Sequence, residues 1–538
     1  MTVTTSYPGL YIQELPSSSH AILPAPTSIA AFVGYSHPYK TTNFGIAQQI
    51  FSFTDYETYF GGLFTSGATD ASLPRAVYQF FLNGGSNAYV VGLQPSIVTT
   101  TGTTVLGPGG KSPSTDPVAT DADGFVFTAL EPIDIVPMSV TITNVRTISG
   151  GTANGTFDVI ITYGNRVETF RGITLSNADS PTNPDNVING KSTLVTVAPG
   201  AANGKFGTAL KTVPPGAITF HDVAGATDVT GFNAADFLPV FAANSSLDNV
   251  EIFNLLLVPG VADNEVVSAA LSFAERKRAF AILDPPPGAP ASGASSERPS
   301  PMEFWMTGLG GQKGGYVLPT DQNGALYFPY LVSTDPITGN ATPMPPSGFV
   351  AGIYAKTDND RGVWKAPAGL ATVVLNTTGP VASGQMNDPQ QGVLNLDSIN
   401  CLRTFSGVGT VVWGARTLVA SNQAFQQSMY VPVRRMTLFI EQTLRANLRW
   451  VVFEPNDEPL WTAIKTSIEA FMLSLFRQGA LQGEKPSDAF QVKCDSSTTT
   501  GTDQHNGIVN IIVAFAPLKP AEFVVIKIAQ LAGQTAGA

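Results

Sequence analysis

The stretch NVEIFNLLLVPGVADNEVVSAALSFAERKRAFAILDPPPG, residues 249–288, decides the fold of this chain. An apolar run comes first, an amphipathic run follows from about residue 262, and a second short apolar run ends at three prolines. Such runs predict a strand, a helix and a second strand. Because a strand–helix–strand unit places its two strands in parallel in one sheet, the stretch predicts an α/β core.

Segments on the N-terminal side extend this core. SIAAFVGYS (28–36) and AYVVGL (88–93) have the composition of buried strands, and residues 53–85 between them have the pattern of helices. The composition changes between residues 95 and 246, where Thr, Gly, Asn and Asp dominate. Short alternating runs such as SVTITNV and FDVIITYG lie there between turn residues, which predicts an inserted all-β domain.

Segments on the C-terminal side complete the core. Residues 316–369 are predicted to be mostly irregular, whereas RTFSGVGTVVWGART (403–417) predicts a strand pair around a glycine turn. MYVPVRR (429–435) is predicted as a strand. Two amphipathic helices follow, over residues 436–450 and from Pro459 onward, and then the strands QVKCD and NIIVAFAPL.

Both ends of the chain carry a short strand candidate beside prolines. GLYIQEL (9–15) lies between Pro8 and Pro16, and FVVIKI (523–528) follows Pro517 and Pro520. Aromatic and β-branched residues favour strands. An exposed apolar strand can pair with another chain, so each end either completes the sheet of its own molecule or pairs with a neighbour.

The composition narrows the class of protein. The 538 residues allow roughly three or four domains. Charged residues make up only 13% of the chain, about half the usual ~25%, which fits either a protein packed against its own copies or a β-rich extracellular protein. The net charge of −11 and the absence of a Lys/Arg-rich run argue against nucleic-acid binding. The first residues lack the pattern of a secretory signal and the apolar runs are short, so we expect assembly in the cytoplasm without membrane insertion.

Motifs for chemistry do not emerge. The glycine-rich GLGGQKGGY (308–316) lacks the spacing of a phosphate-binding loop, and the four histidines form no zinc motif. The pair Cys494 and His505, and loop carboxylates such as Asp358 and Asp360, are more typical of ordinary loops than of an active site. The sequence therefore predicts no catalytic, cofactor-binding or metal site.

Cations cluster on the two C-terminal helices of this acidic chain. They favour either a solvated helix face with its own ion pairs or a basic stripe that meets an acidic partner. The residues are Arg434, Arg435, Arg445, Arg449, Lys465 and Arg477.

Several stretches, taken in order, resemble the contractile tail sheath family. These stretches are YPGLYIQELP, AFVGYS, PPSGFVAGIYAKTDNDRGVWKAPAG, INCLRTFSGVGTVVWGART, YVPVRRMTLFIEQTL, WVVFEPNDEPLW, VKCD and AFAPLKPAEFVVIKI. They cover both termini and most of residues 250–530, and leave residues 95–245 unmatched. In this family, that position commonly holds a variable domain that faces outward.

The resemblance implies a mixed-sheet C-terminal core that neighbouring subunits complete by strand exchange. The residues that it implies for exchange are Leu10, Tyr11, Ile12, Gln13, Glu14, Phe523, Val524, Val525, Ile526, Lys527 and Ile528. The six cations on the C-terminal helices become candidates for contact with an inner tube.

The function implied by the resemblance is structural. Subunits stack as a helical array of rings, expected to be hexameric, around an inner tail tube and beside baseplate and terminator proteins. Contraction from a metastable extended state drives the tube through a target envelope, either from a phage virion tail or from an injection particle. A β-rich shell protein or adhesin, and a hydrolase with an unrecognised site, remain the competing interpretations.

The expected domain boundaries follow these patterns. The segments are an N-terminal arm and linker (1–25), a first part of the core (26–94), the insertion (95–246), a second part of the core (247–390), an inner C-terminal domain (391–520) and a C-terminal arm and tail (521–538).

Overall fold

The computed structural model describes most of the chain in several ranges. They are residues 21–66, 70–99, 102–105, 125–133, 135–148, 151–174, 180–199, 216–219, 232–286, 318–419 and 423–527. The chain divides into two compact units, a body made of residues 26–434 and a terminal unit made of residues 1–25 and 435–538. The terminal unit is described over residues 21–25 and 435–527, which are far apart along the chain.

The body is built on an eight-stranded mixed sheet. Its strands are β1 (Ala30–Tyr35), β2 (Ala47–Ile50), β3 (Ala88–Leu93), β12 (Leu255–Leu257), β13 (Phe280–Leu283), β14 (Gly324–Phe328), β18 (Ile399–Phe405) and β19 (Gly409–Val412). Their order in the sheet is β19-β18-β14-β13-β12-β1-β3-β2, and the six inner strands run parallel. All six residues of β1 are buried, as expected for a parallel strand covered on both faces.

The strand–helix–strand prediction is confirmed. Helix α5 (Asn264–Lys277) connects β12 to β13, and Leu255 pairs with Phe280 in a parallel register. The Asp263 side chain caps the helix, and Arg278 ends it in a left-handed conformation. The strand pair around the glycine turn is also confirmed, because β18 and β19 pair antiparallel between Phe405 and Gly409.

A helix that the sequence analysis predicted as irregular covers the sheet. Helix α6 (Ser347–Arg361) is buried along most of its length. A Cβ on Gly352 would lie only 2.6 Å from Asn83 Cβ, and one on Gly348 would clash with the backbone of Ala76. These glycines let α6 approach α2 (Ser72–Leu82) closely. The prediction was wrong because the first nine residues of the helix are buried on all sides and show no amphipathic stripe, and its glycines resembled those of a loop.

The predicted strand at residues 429–435 is also wrong. Helix α8 (Val431–Asn447) begins there, with Pro432 in its first turn, where a missing N–H costs nothing. Only Tyr430 makes a single bridge, to Arg416.

Antiparallel strands form a second core within the body. Sheets β11-β7-β8-β9 and β10-β6 enclose buried residues such as Phe127, Val159 and Tyr163. The strands are β6 (Phe125–Ala129), β7 (Met138–Ile148), β8 (Gly151–Tyr163), β9 (Arg166–Thr174), β10 (Val195–Pro199) and β11 (Gly216–Thr219). Phe237 and Phe241 instead pack in the core of the main sheet, so the chain has returned to that core before residue 246.

Smaller elements complete the body. The remaining strands are β4 (Ser96–Thr99), β5 (Gly102–Val105), β15 (Leu331–Thr334), β16 (Ala341–Met344) and β17 (Gly379–Pro380). The remaining helices are α1 (Phe53–Phe60), α3 (Pro184–Val187), α4 (Ala234–Phe237) and α7 (Asp388–Leu396), with 3-10 turns at Leu238–Phe241, Ala382–Gly384 and Gln423–Ser428.

The terminal unit holds most of α8 and a second long helix. Helix α9 (Glu458–Arg477) has Asp457 as its N-cap and Pro459 in its first turn, as predicted, and Gly479 follows its end with a φ of 74°. Its predicted apolar stripe is buried, namely Leu460, Ile464, Ile468, Met472 and Leu475. The other elements are a 3-10 turn (Arg449–Val451), α10 (Pro486–Ala489), β20 (Phe490–Lys493), α11 (Gly501–His505) and β21 (Ile512–Phe515).

Candidate assembly site

The C-terminal segment of the terminal unit is apolar and exposed. After a single bridge between Leu481 and Pro517, residues 518–527 form neither helix nor strand. The exposed fractions of Phe523, Val524, Val525 and Ile526 are 73%, 78%, 80% and 79%. The segment therefore has the composition of a strand but forms no strand within the single chain. The last predicted exchange residue, Ile528, lies outside the described residues.

A small sheet with open edges lies in the same unit. β20 and β21 pair antiparallel from Phe490 with Phe515 to Lys493 with Ile512, and no third strand joins them among the described residues. Two-stranded sheets are marginal in water, and their edges present unpaired N–H and C=O groups. The edge of such a small sheet is the kind of site to which a further strand can add.

Leu23 and Ala25, near the N-terminal end of the described chain, are hydrogen-bonded to helix α8. Asn447 Nδ2 donates to the carbonyl of Leu23 at 2.8 Å, and the N–H of Leu23 donates to Asn447 Oδ1 at 2.9 Å. The N–H of Ala25 donates to Thr443 Oγ1 at 3.1 Å. Sequence reasoning missed this attachment, since it depends on contacts more than 400 positions apart. The predicted exchange residues Leu10–Glu14 lie outside the described part of the chain.

The six candidate cations do not share one environment. Arg445, Arg449 and Arg477 are exposed, and Lys465 is half-exposed, 3.9 Å from Glu469. Arg435 is only 3% exposed, and the half-buried Arg434 donates from Nε to Asn323 Oδ1 at 2.8 Å. Direct contact with a partner therefore fits the three exposed arginines best.

A buried carboxylate joins the second core to the main sheet of the body. Glu131 accepts hydrogen bonds from His37 at 3.0 Å and from Lys40 and Arg166 at 2.5 Å each. Burial by itself raises the pKa of Glu131, but the hydrogen bond from His37 and the nearby positive charges outweigh it and lower that pKa to about 2. Burial lowers the pKa of His37, whose imidazole is therefore neutral near pH 7. The arrangement is an internal ion cluster that links the two cores of the body.

No helix among the described residues is long and apolar enough to cross a bilayer, and no group of three or more His, Cys, Asp and Glu side chains in that part of the chain is placed to hold a metal ion.

Comparison with known proteins identifies the chain at the level of sequence. A profile of the phage tail sheath protein central domain matches residues 241–418, and one of the phage tail sheath C-terminal domain matches residues 423–530. The tail sheath protein of Burkholderia phage BcepMu is 26% identical over 289 residues, 51% of this chain and 58% of that protein. That of Vibrio phage KVP40 is 22% identical over 322 residues, 57% of this chain and 46% of that protein. The matches thus span about half the length of these relatives.

Solved structures share the fold. The sheath complex of the PVC extracellular contractile injection system, in the contracted state, has a TM-score of 0.56 at 21% identity and covers 98% of this chain and 99% of that one. The contracted helical sheath of the anti-feeding prophage has a TM-score of 0.54 at 22% identity and covers 98% of this chain and all of that one.

Fold and sequence together place the chain among the structural proteins of contractile, phage-like tails. Within that class, it belongs to the phage tail sheath protein family.

Proposed function

We propose that this chain is a sheath subunit that polymerises as a helical sleeve of rings around an inner tube. Baseplate and terminator proteins lie at the two ends of the sleeve in a phage tail or an injection particle. The extended sleeve is metastable, and its contraction drives the tube through a target envelope. Family membership supports this function, and the exposed segment Phe523–Ile526 beside an open two-stranded sheet is the observation that carries it.

Strand exchange links the subunits in this proposal. The C-terminal segment, and the N-terminal segment Leu10–Glu14, leave their own molecule and pair with the small sheets of neighbours. A short strand gains a few backbone hydrogen bonds, each worth roughly 0.5–1.5 kcal/mol, and each buried apolar side chain adds about 1.5–3 kcal/mol. The ordering of the segment offsets part of this gain. Two such links per subunit hold neighbours together while other contacts change during contraction.

Tube contact is assigned to the exposed cations. Arg445 and Arg449 lie four positions apart at the end of α8 and in the turn that follows, and Arg477 lies in the last turn of α9. Exposed guanidinium groups attract an acidic surface through long-range electrostatics that salt screens. The extended sleeve therefore depends on an acidic face of the tube.

Electron microscopy of the purified chain tests the proposal. We expect helical tubes from the full chain and dispersed subunits from a chain that ends at Pro520. A Val167→Lys variant, changed at an exposed position of β9 far along the chain from the terminal unit, is the matched control and should still form tubes. Closed particles from the full chain would favour a shell protein, and the absence of any polymer would contradict the proposal.

A further inference from the structure

The turn between α8 and α9 presents an apolar tip to solvent. Val452 is 62% exposed, and the whole side chain of Phe453 lies in solvent. Phe453 also has a φ of 72°, a left-handed conformation that is strained for a bulky residue. A strained, fully exposed aromatic residue gains nothing within its own chain, which indicates that a partner uses it.

The turn is held rigidly just beyond this tip. Asn456 Nδ2 donates to the carbonyl of Ile508 at 3.1 Å, and Asn456 Oδ1 accepts from Trp461 Nε1 at 2.8 Å. Gln504 Nε2 donates to the backbone carbonyl of Asn456 at 2.6 Å. These bonds order the turn at Asn456, three residues after Phe453, and order present before binding lowers its entropic cost.

The same hydrogen bonds bring the turn to the start of β21. Ile508 lies four positions before Ile512, the first residue of that strand, and both side chains are about half-exposed. The bond from Asn456 to Ile508 thus holds the turn beside the residues that lead into β21. We call the exposed apolar side chains of Val452, Phe453 and Ile508 the apolar patch.

We propose that this patch receives the segment Val524–Ile526 of a second copy when that segment pairs with β21. The inference rests on the proposed sheath function and adds the side-chain contact that fixes the register of the exchanged strand. The segment is apolar and exposed, like the patch. Charges match as well, since exposed Lys527 follows the segment and exposed Glu454 follows Phe453.

A Phe453→Gly variant of the full chain separates this role from a role in folding. Glycine adopts the left-handed conformation without strain, so the unfolding midpoint of dilute protein should stay level or rise by about one or two degrees. The protein concentration at which tubes appear, measured by light scattering, should rise at least about tenfold, as for an aromatic anchor at an interface. Phe453→Leu keeps an apolar side chain and should shift this concentration much less.

A double-mutant cycle with Val525→Ala tests the predicted partner. If Phe453 contacts the segment around Val525, the double variant should assemble at about the same concentration as the single variant that assembles less readily. The inference would be overturned if the double variant raised the assembly concentration by the product of the two single effects. An unchanged assembly concentration or a lower unfolding midpoint in Phe453→Gly would also overturn it. Tubes from Phe453→Gly at the wild-type concentration would leave the sheath function intact, whereas no tubes from the wild-type chain would remove the function itself.

Discussion

Replacement of Glu131 by Gln should destabilise the body by about 2–3 kcal/mol. The carboxylate is 1% exposed and takes hydrogen bonds from His37, Lys40 and Arg166. Removing one partner of a buried ion pair costs about 3–5 kcal/mol, because the remaining charge stays buried. The side chains of Lys40 and Arg166 are 21% and 38% exposed, so water still solvates part of their charge after Glu131 is replaced. The expected loss of stability is therefore about 2–3 kcal/mol, below the range for a fully buried pair.

Urea unfolding of dilute protein measures this effect. The midpoint should fall at an unchanged slope, since the substitution leaves the folded surface the same. Amide hydrogen exchange should accelerate first in β7, β8 and β9, which Arg166 connects to the main sheet through Glu131. An Asp158→Asn variant provides the control, because that carboxylate accepts its hydrogen bonds from Asn144 and Gly172 in an exposed setting, so its replacement should cost about 1 kcal/mol or less. A midpoint for Glu131→Gln equal to that of the control would refute the reasoning.

Three further outcomes follow from the structure. Gly352→Leu should destabilise the body by roughly 1–3 kcal/mol or prevent folding, because the new side chain would overlap α2; wild-type thermal stability in a melting experiment would contradict this packing. Arg445→Glu with Arg449→Glu should weaken co-sedimentation with the tube of the same particle and favour contracted sheaths in micrographs, and extended particles that survive high salt would argue against tube contact there. The lowered pKa of buried His37 means that the unfolded chain binds a proton more readily, so stability should fall as the pH drops below about 6.5; His37→Gln should flatten this dependence between pH 6.5 and 5, and an equal slope in both proteins would exclude His37 as its source.

The sequence predicted the parts of the fold that depend on local patterns. The unit β12–α5–β13 was recognisable because each strand is a short apolar run and the helix has an amphipathic stripe with a cap. The apolar stripe of α9 was recognisable for the same reason. Helix α6 was not recognisable, because the complete burial of its first nine residues and its close contact with α2 are properties of the tertiary structure.

The candidate site divides in the same way. Composition alone predicted a strand in the C-terminal segment, whereas the single chain forms none over residues 518–527, so its pairing with a neighbour stays a prediction. It could not identify the attachment of Leu23 to Asn447, nor the backbone conformation of Phe453, because both depend on neighbours far away in the sequence or on a single dihedral angle. Burial likewise separated Arg435 from the exposed arginines, although all of them looked alike in the sequence.

The attachment of Leu23 to α8 sets a length limit for the proposed links. Nine residue steps separate Leu23 from Glu14, so this tether reaches about 30 Å at full extension, whereas the six steps from Pro517 to Phe523 reach about 20 Å. The shorter connection, from Pro517 to Phe523, is the limiting one. If the links form as proposed, contraction can move a neighbour's acceptor sheet only within about 20 Å of Pro517, and a larger movement has to break the strand pairing at one end of the connection.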